Sequence, residues 1–272
     1  MQIVEANGAR IPSIGLGTWE LRGDTCTKLV SEALRVGYRH IDTAAMYGNE
    51  AEVGEGIRAS AVKRDDIFLT TKVWLDDLRE ADFRRSVERS LKNLKLPYVD
   101  LILIHWPNPA IPLGETLRAM AKVKRDGLAR HIGVSNFTVG LIEEAVTLSE
   151  EPLVTNQIEM HPFLDQSKVL AACRKRGLSV TAYCPIARGN VAGNAVLATI
   201  AKAHGKSAAQ VSLRYLVQQG IIAIPRTSKP ARLVENLSVF DFALTDAEMR
   251  QIAGLTDPGG RVVNFGAAPA WD

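Results

Sequence analysis

Three stretches of the chain end in side chains of the kind that move protons. His40-Ile41-Asp42 runs into a loop that carries Tyr47, Leu69-Thr70-Thr71 ends at Lys72, and Leu101-Ile102-Leu103-Ile104 ends at His105. An acid, a phenol, an ammonium and an imidazole brought together would suit reduction of a carbonyl group. A carbonyl that accepts hydride at carbon builds negative charge on oxygen, and a placed acid must neutralise it. Tyr47 is a weak acid at neutrality, with an ordinary phenol pKa of about 10. The Lys72 ammonium is expected to favour the phenolate and lower that value. Asp42 would hold Lys72 protonated and oriented, and a neutral His105 would donate a hydrogen bond to the substrate oxygen. Each residue alone has an ordinary explanation: a capping Asp, a solvated Lys, a core His, a packed Tyr. Their arrival together at matched positions is what argues for a site.

The elements that must place them recur along the chain. Short apolar runs lie near 13–17, 39–42, 67–72, 99–104, 129–135, 154–159, 179–183 and 221–225. Segments of helical period lie near 25–36, 50–60, 81–94, 113–126, 139–148, 167–176, 207–218 and 230–236. Gly37, Gly127, Gly177 and Gly220 follow helical patterns and lead into strands, as C-terminal caps do. The continuous apolar run Leu101 to Ile104 fits a parallel strand covered on both faces. Repeated strand-plus-helix units in a chain of this length predict an α/β fold, a (β/α)8 TIM barrel with its active site at the strand ends. Asn7-Gly8 between two short extended pieces predicts an N-terminal β-hairpin over the lower end. An open doubly wound sheet would call for a GxGxxG turn, and Gly15-Leu16-Gly17-Thr18-Trp19-Glu20 lacks the third glycine. With no linker-like segment, residues 1–272 read as one domain.

Composition narrows the function further. Of 272 residues, 46% are hydrophobic and 23% charged, with a formal charge of +3, which excludes a disordered chain and argues against a nucleic-acid partner. Three cysteines without a CxxC suggest reduced thiols rather than disulfides, and no metal site is expected. The first residues lack the basic and apolar stretches of a signal peptide, and no apolar run approaches the ~20 residues of a membrane span. The expectation is a soluble, cytoplasmic, monomeric protein with a small-molecule partner and no membrane contact.

The segments Gly15-Leu16-Gly17-Thr18-Trp19, Gly37-Tyr38-Arg39-His40-Ile41-Asp42-Thr43-Ala44, Ile104-His105-Trp106-Pro107 and Ile132-Gly133-Val134-Ser135-Asn136-Phe137 resemble an aldo-keto reductase over essentially the whole chain. Within that family the chain is most similar to the short bacterial branch that includes the 2,5-diketo-gluconate reductases, down to the Trp271-Asp272 ending. The resemblance implies NADPH as cofactor, bound without a Rossmann fold, and a catalytic tetrad of Asp42, Tyr47, Lys72 and His105. It also implies that Ser135, Asn136 and Gln157 bond the nicotinamide carboxamide while Tyr183 stacks on the ring. Thr18, Asp42, Cys184 and Ile186 would line the cofactor. Arg226, Thr227, Ser228 and Arg232 would meet the adenosine phosphate, and Glu235 and Asn236 the adenine. Two positions depart from the family pattern. Arg226 stands where Lys is usual, a planar fork in place of a point charge, and Cys184 stands where a serine hydroxyl is usual. On the substrate side Trp19, Trp74 and Trp106 would wall the pocket beside Tyr47 and His105. The brief 108–112 loop and the little chain expected after the last helix predict a short rim, suited to small aldehydes, α-dicarbonyls and keto-sugars. Two other readings remain at this point: a Schiff-base aldolase or lyase using Lys72, and a barrel that senses NADPH without turnover.

Overall fold

Strand and helix alternate along nearly the whole chain, whose residues 2–272 are described by a computed structural model. The chain opens with an antiparallel hairpin of β1 (Ile3–Ala6) and β2 (Ala9–Pro12), turned at Asn7-Gly8. Both turn residues have positive φ, 46° and 86°, as a two-residue hairpin turn requires. Ala9 and Ile11 bury against Phe68, Leu101, Leu103, Val154 and Ile222, so the hairpin plugs the lower end as expected.

Eight parallel strands follow. They are β3 (Leu16–Gly17), β4 (His40–Asp42), β5 (Phe68–Val73), β6 (Val99–Ile104), β7 (Ala129–Ser135), β8 (Leu153–Glu159), β9 (Ser179–Tyr183) and β10 (Ile222–Ala223). Each pairs with the next in sequence order. Gly15 donates its N–H to Ala223 O at 2.9 Å and Gly17 to Pro225 O at 3.1 Å, so the first and last strands meet. Single bridges pair Ile14 with Ala223 and Gly17 with Arg226 along that seam. The ring is thereby the (β/α)8 barrel that the periodicity predicts.

The helices are α1 (Gly23–Arg35), α2 (Glu50–Ala59), α3 (Glu80–Leu94), α4 (Leu113–Arg125), α5 (Val139–Leu148), α6 (Ser167–Lys175), α7 (Ala195–His204), α8 (Ala208–Val217), α9 (Pro230–Leu237) and α10 (Asp246–Ala253). Gly37, Gly127, Gly177 and Gly220 all have positive φ just beyond helix ends, where a side chain would be strained. Leu69, Ile102 and Ile104 turn outward into the main core between sheet and helices, so the alternate residues Thr70, Lys72, Leu103 and His105 face the barrel interior. Burial pushes the Cys26 and Cys173 thiols up to about 12, which keeps them unreactive.

Two helices depart from the expected pattern. α7 and α10 were not anticipated, because one helix per strand accounted for the repeat. Both carry start signals nonetheless: Asn194 caps Leu197 N at 3.0 Å, and Thr245 with Glu248 forms a capping box. The chain beyond α10 corrects the expectation of a short rim. Residues 254–272 cross the barrel mouth, with Phe265 against Trp74 and Trp106 and Trp271 against Trp106. Packing of these two aromatic rings on the indoles offsets part of the cost of ordering an otherwise irregular tail.

Candidate active site

Four side chains from three neighbouring strand ends converge at the mouth. β4 and β5 run in register with Asp42 opposite Thr70, which puts Lys72 one inward position higher. Lys72 Nζ donates to Asp42 Oδ1 at 2.5 Å, to the Thr43 carbonyl at 2.9 Å and to Tyr47 Oη at 3.3 Å. Tyr47 sits on a single turn, Ala45–Tyr47, closed by Gly48 at φ 63°. His105 lies just past β6, its ring centroid 5.6 Å from that of Tyr47. Asn49, which the sequence reading did not single out, ties this turn down. Its Nδ2 donates to Thr18 O at 2.7 Å and Leu21 O at 3.0 Å, and its Oδ1 accepts from Thr43 at 3.0 Å. Only the short polar step after Tyr47-Gly48 could have hinted at it.

The electrostatics revise one expectation. Tyr47 is not lowered; burial pushes its phenol well above 10.0, with the charges of Asp42 and Cys184 adding to the rise. Asp42 sits against Lys72 and offsets the ammonium's field, so burial of the phenolate dominates. The phenol is therefore loaded with its proton at neutral pH. Burial pulls Lys72 below its ordinary value while the adjoining Asp42 carboxylate opposes that fall. His105 is held well below 6.5 by burial and then by the charge of Lys72, so its imidazole is neutral. A Schiff-base role for Lys72 fits poorly, because all three ammonium donors are already committed.

The residues expected to hold a nicotinamide form a belt beside this cluster. Ser135 and Gln157 are register partners on β7 and β8. Ser135 Oγ donates to Gln157 O at 2.8 Å, and Asn136 Nδ2 donates to His105 O at 2.9 Å. Gln157 Nε2 donates to Asp42 Oδ2 at 2.7 Å, which links the belt to the charged cluster. Tyr183 Oη donates to Asn136 Oδ1 at 2.8 Å and so fixes its ring at the end of β9. A carboxamide needs one acceptor and one donor opposite it, and this belt of hydroxyl and amides supplies both. Thr18 is buried and donates to Asp42 O at 3.0 Å. Cys184 and Ile186 are half-buried just past Tyr183, and burial raises the Cys184 thiol.

At the seam, Arg226, Ser228 and Arg232 are exposed and Thr227 is buried. Arg226 Nε donates to Trp19 O at 3.1 Å, leaving its terminal nitrogens outward. Arg232 pairs with Glu235 at 3.2 Å, and Glu235 also accepts from the Ser207 hydroxyl at 2.6 Å. Asn236 is buried beside the Tyr38 hydroxyl. The two guanidinium groups thus face solvent, while Glu235 and Asn236 are already engaged in packing α9. The three expected indoles surround the mouth: Trp19 is 4.9 Å from Tyr47 and Trp74 5.2 Å from His105, centroid to centroid, and Trp106 packs on the tail.

Comparison with known proteins bears on the fold that carries this arrangement. Residues 13–257 match the model of the aldo/keto reductase family. The methylglyoxal reductase DkgB of Yersinia pestis is 41% identical over 266 residues, 96% of this chain and 99% of its own. The glyoxal reductase of Bacillus subtilis (strain 168) is 42% identical over 250 residues, 92% of this chain and 90% of its own. A crystal structure of a candidate 2,5-diketo-D-gluconic acid reductase B superposes with a TM-score of 0.98 at 48% identity, covering 100% of this chain and 98% of that one. An aldo-keto reductase of Bombyx mori, solved in complex with NADP, has a TM-score of 0.90 at 35% identity, with 97% and 96% covered.

Proposed function

Because this chain belongs to the aldo/keto reductase family, a family of nicotinamide-dependent oxidoreductases, we propose that it reduces small aldehydes, α-dicarbonyls and keto-sugars with NADPH, with Tyr47 as proton donor. The observation that carries this reading is the Lys72 ammonium bridging Asp42 and Tyr47 at the mouth. The relatives named for methylglyoxal and glyoxal reduction favour dicarbonyls among these substrates.

When bound, the reduced nicotinamide supplies a hydride to the carbonyl carbon. The residues present would hold it by the carboxamide through Ser135, Asn136 and Gln157 and by one ring face through Tyr183. Arg226 and Arg232, with Thr227 and Ser228 between them, would take the adenosine phosphate. The substrate oxygen would sit between Tyr47 and neutral His105, which orients it with a hydrogen bond. As negative charge grows on that oxygen, Tyr47 passes it a proton. The ammonium of Lys72 already points at the phenol oxygen, so it meets the phenolate without rearrangement, and Asp42 keeps that ammonium in place.

The direct test is loss of NADPH absorbance on addition of methylglyoxal, glyoxal and a panel of larger aldehydes. Tyr47→Phe should lower turnover by about 10²–10⁴-fold, the range for losing a general acid, while the dissociation constant for NADPH stays near the wild-type value. Cofactor binding with no turnover across the panel would favour the sensor reading instead.

A further inference from the structure

Among the buried carboxylates that the mechanism leaves unused, Glu159 is the most enclosed. Glu159 ends β8 fully enclosed, in register with Tyr183. Its Oε1 accepts from His161 Nε2 at 2.9 Å and from the Val262 N–H at 2.6 Å, and its Oε2 accepts from the Val263 N–H at 3.0 Å. The Arg261 guanidinium lies 3.7 Å away and stacks over Trp271 at 3.8 Å. A buried carboxylate is tolerated only where its lone pairs are filled. Here most of the filling comes from a segment some hundred residues downstream.

That segment is the tail across the mouth. Asp257 N–H donates to Phe163 O at 3.0 Å, and Gly260 packs so closely on the Phe163 carbonyl that a Cβ would overlap it. At the far end Asp272 Oδ2 accepts from Val139 N at 2.8 Å, in the first turn of α5. Between these two attachments Phe265 and Trp271 rest on Trp74 and Trp106. Without the Glu159 attachment the tail would keep its bonds at Asp257 and Asp272 and its aromatic contacts, but the stretch leading into Phe265 would lose the two backbone bonds that hold it down.

We propose that Glu159 is a positioning residue whose carboxylate latches the tail across the mouth. It thereby sets where Phe265 and Trp271 stand and how large a carbonyl compound can enter. The size-selection part rests on the reading of this mouth as the substrate site.

Two variants of the full chain test it. Glu159→Gln keeps the shape but replaces one accepting oxygen with an amide that cannot accept from a tail N–H. Gly260→Ala pushes the tail off Phe163 and with it the neighbouring Val262 and Val263 N–H groups off an unaltered carboxylate, so it opens the same latch from the tail's side if Glu159→Gln fails to fold. The first readout is trypsin cleavage after Arg261, followed by mass as loss of residues 262–272. Cleavage of a locally opening segment tracks the population of its open form. Both variants should be cut there at least about tenfold faster than wild type. The second readout is KM for 2-naphthaldehyde against KM for methylglyoxal. Unlatching should change the ratio about threefold or more, while kcat for methylglyoxal in Gly260→Ala stays within about twofold of wild type. Wild-type protection of the Arg261–Val262 bond in the folded variants would overturn the latch. Faster cleavage with an unchanged KM ratio would overturn its part in size selection. If wild type reduces neither carbonyl, it is the proposed function that fails, and cleavage alone decides the latch.

Discussion

Lys72 is bonded to both Asp42 and Tyr47, so the three residues should behave as one unit. Lys72→Met is expected to cost about as much turnover as Tyr47→Phe, some 10²–10⁴-fold. The double variant should cost little more than either single one, because residues acting together give strongly non-additive losses. Single-turnover rates for the four proteins would check this, and multiplied losses would mean that Lys72 and Tyr47 act separately. The convergence of Asp42, Tyr47, Lys72 and His105 was legible in the sequence because each ends or follows an apolar run, and strand alternation then dictates which face it takes. The sign of the Tyr47 shift was not legible. It depends on how completely the phenol is enclosed and on how far Asp42 offsets Lys72, and spacing reveals neither. Glu159 escaped notice for a related reason: its tail partners are backbone N–H groups, which carry no residue signature.

Among the elements, β10 and the segment leading into α9 should decide the choice of dinucleotide. Arg226 and Arg232 are exposed with donors to spare, whereas the hydride site is remote from the one phosphate that separates NADPH from NADH. Charge-assisted bonds from guanidinium to phosphate are worth about 1.5–3 kcal/mol each, so two would support a preference on the order of 100-fold. Arg232→Ala should raise KM for NADPH by about tenfold and leave KM for NADH nearly unchanged. Equal losses with both cofactors, measured by initial rates, would remove Arg232 from the phosphate site. Element boundaries were readable wherever an apolar run and a capping glycine coincided. α7 and α10 had their own caps but lay outside the repeat, and the tail lacked periodicity altogether. Its order comes from Phe265 and Trp271 finding indoles across the mouth and from bonds to Glu159, Phe163 and Val139, long-range events invisible in local pattern.

For the molecule as a whole, acid should be destabilising earlier than carboxylate titration alone would require. His40 and His105 are both buried, and burial lowers their pKa values below 6.5. The folded protein therefore resists protonating them, whereas the unfolded chain takes up protons as pH drops through about 6.5. Their contribution is fully present above that pH and is lost on the way down, until the folded-state values are reached. The slope is at most about 1.4 kcal/mol per pH unit for each histidine. Urea unfolding at pH 7.5 and 5.5 should show a clearly lower midpoint at the acid pH. A midpoint that does not move would mean that the imidazoles take up protons as readily in the fold as in the unfolded chain.

The seam between the first and last strands has a consequence for how the molecule is made. Gly17 and Pro225 are joined by a backbone bond although about two hundred residues separate them. At synthesis rates of 5–20 residues per second, β3 must wait roughly 10–40 s for its neighbour to emerge. During that time its outer edge is an unpaired template open to wrong strands. Arg226 is the residue bridged to Gly17 at that same seam. A nascent chain can therefore present Asp42, Tyr47, Lys72 and His105 well before Arg226 and Arg232, the proposed phosphate ligands, have emerged. On the proposed cofactor site such a chain would be idle until the ring shuts, and its refolding should be slow, in keeping with the distance in sequence over which the last contacts form.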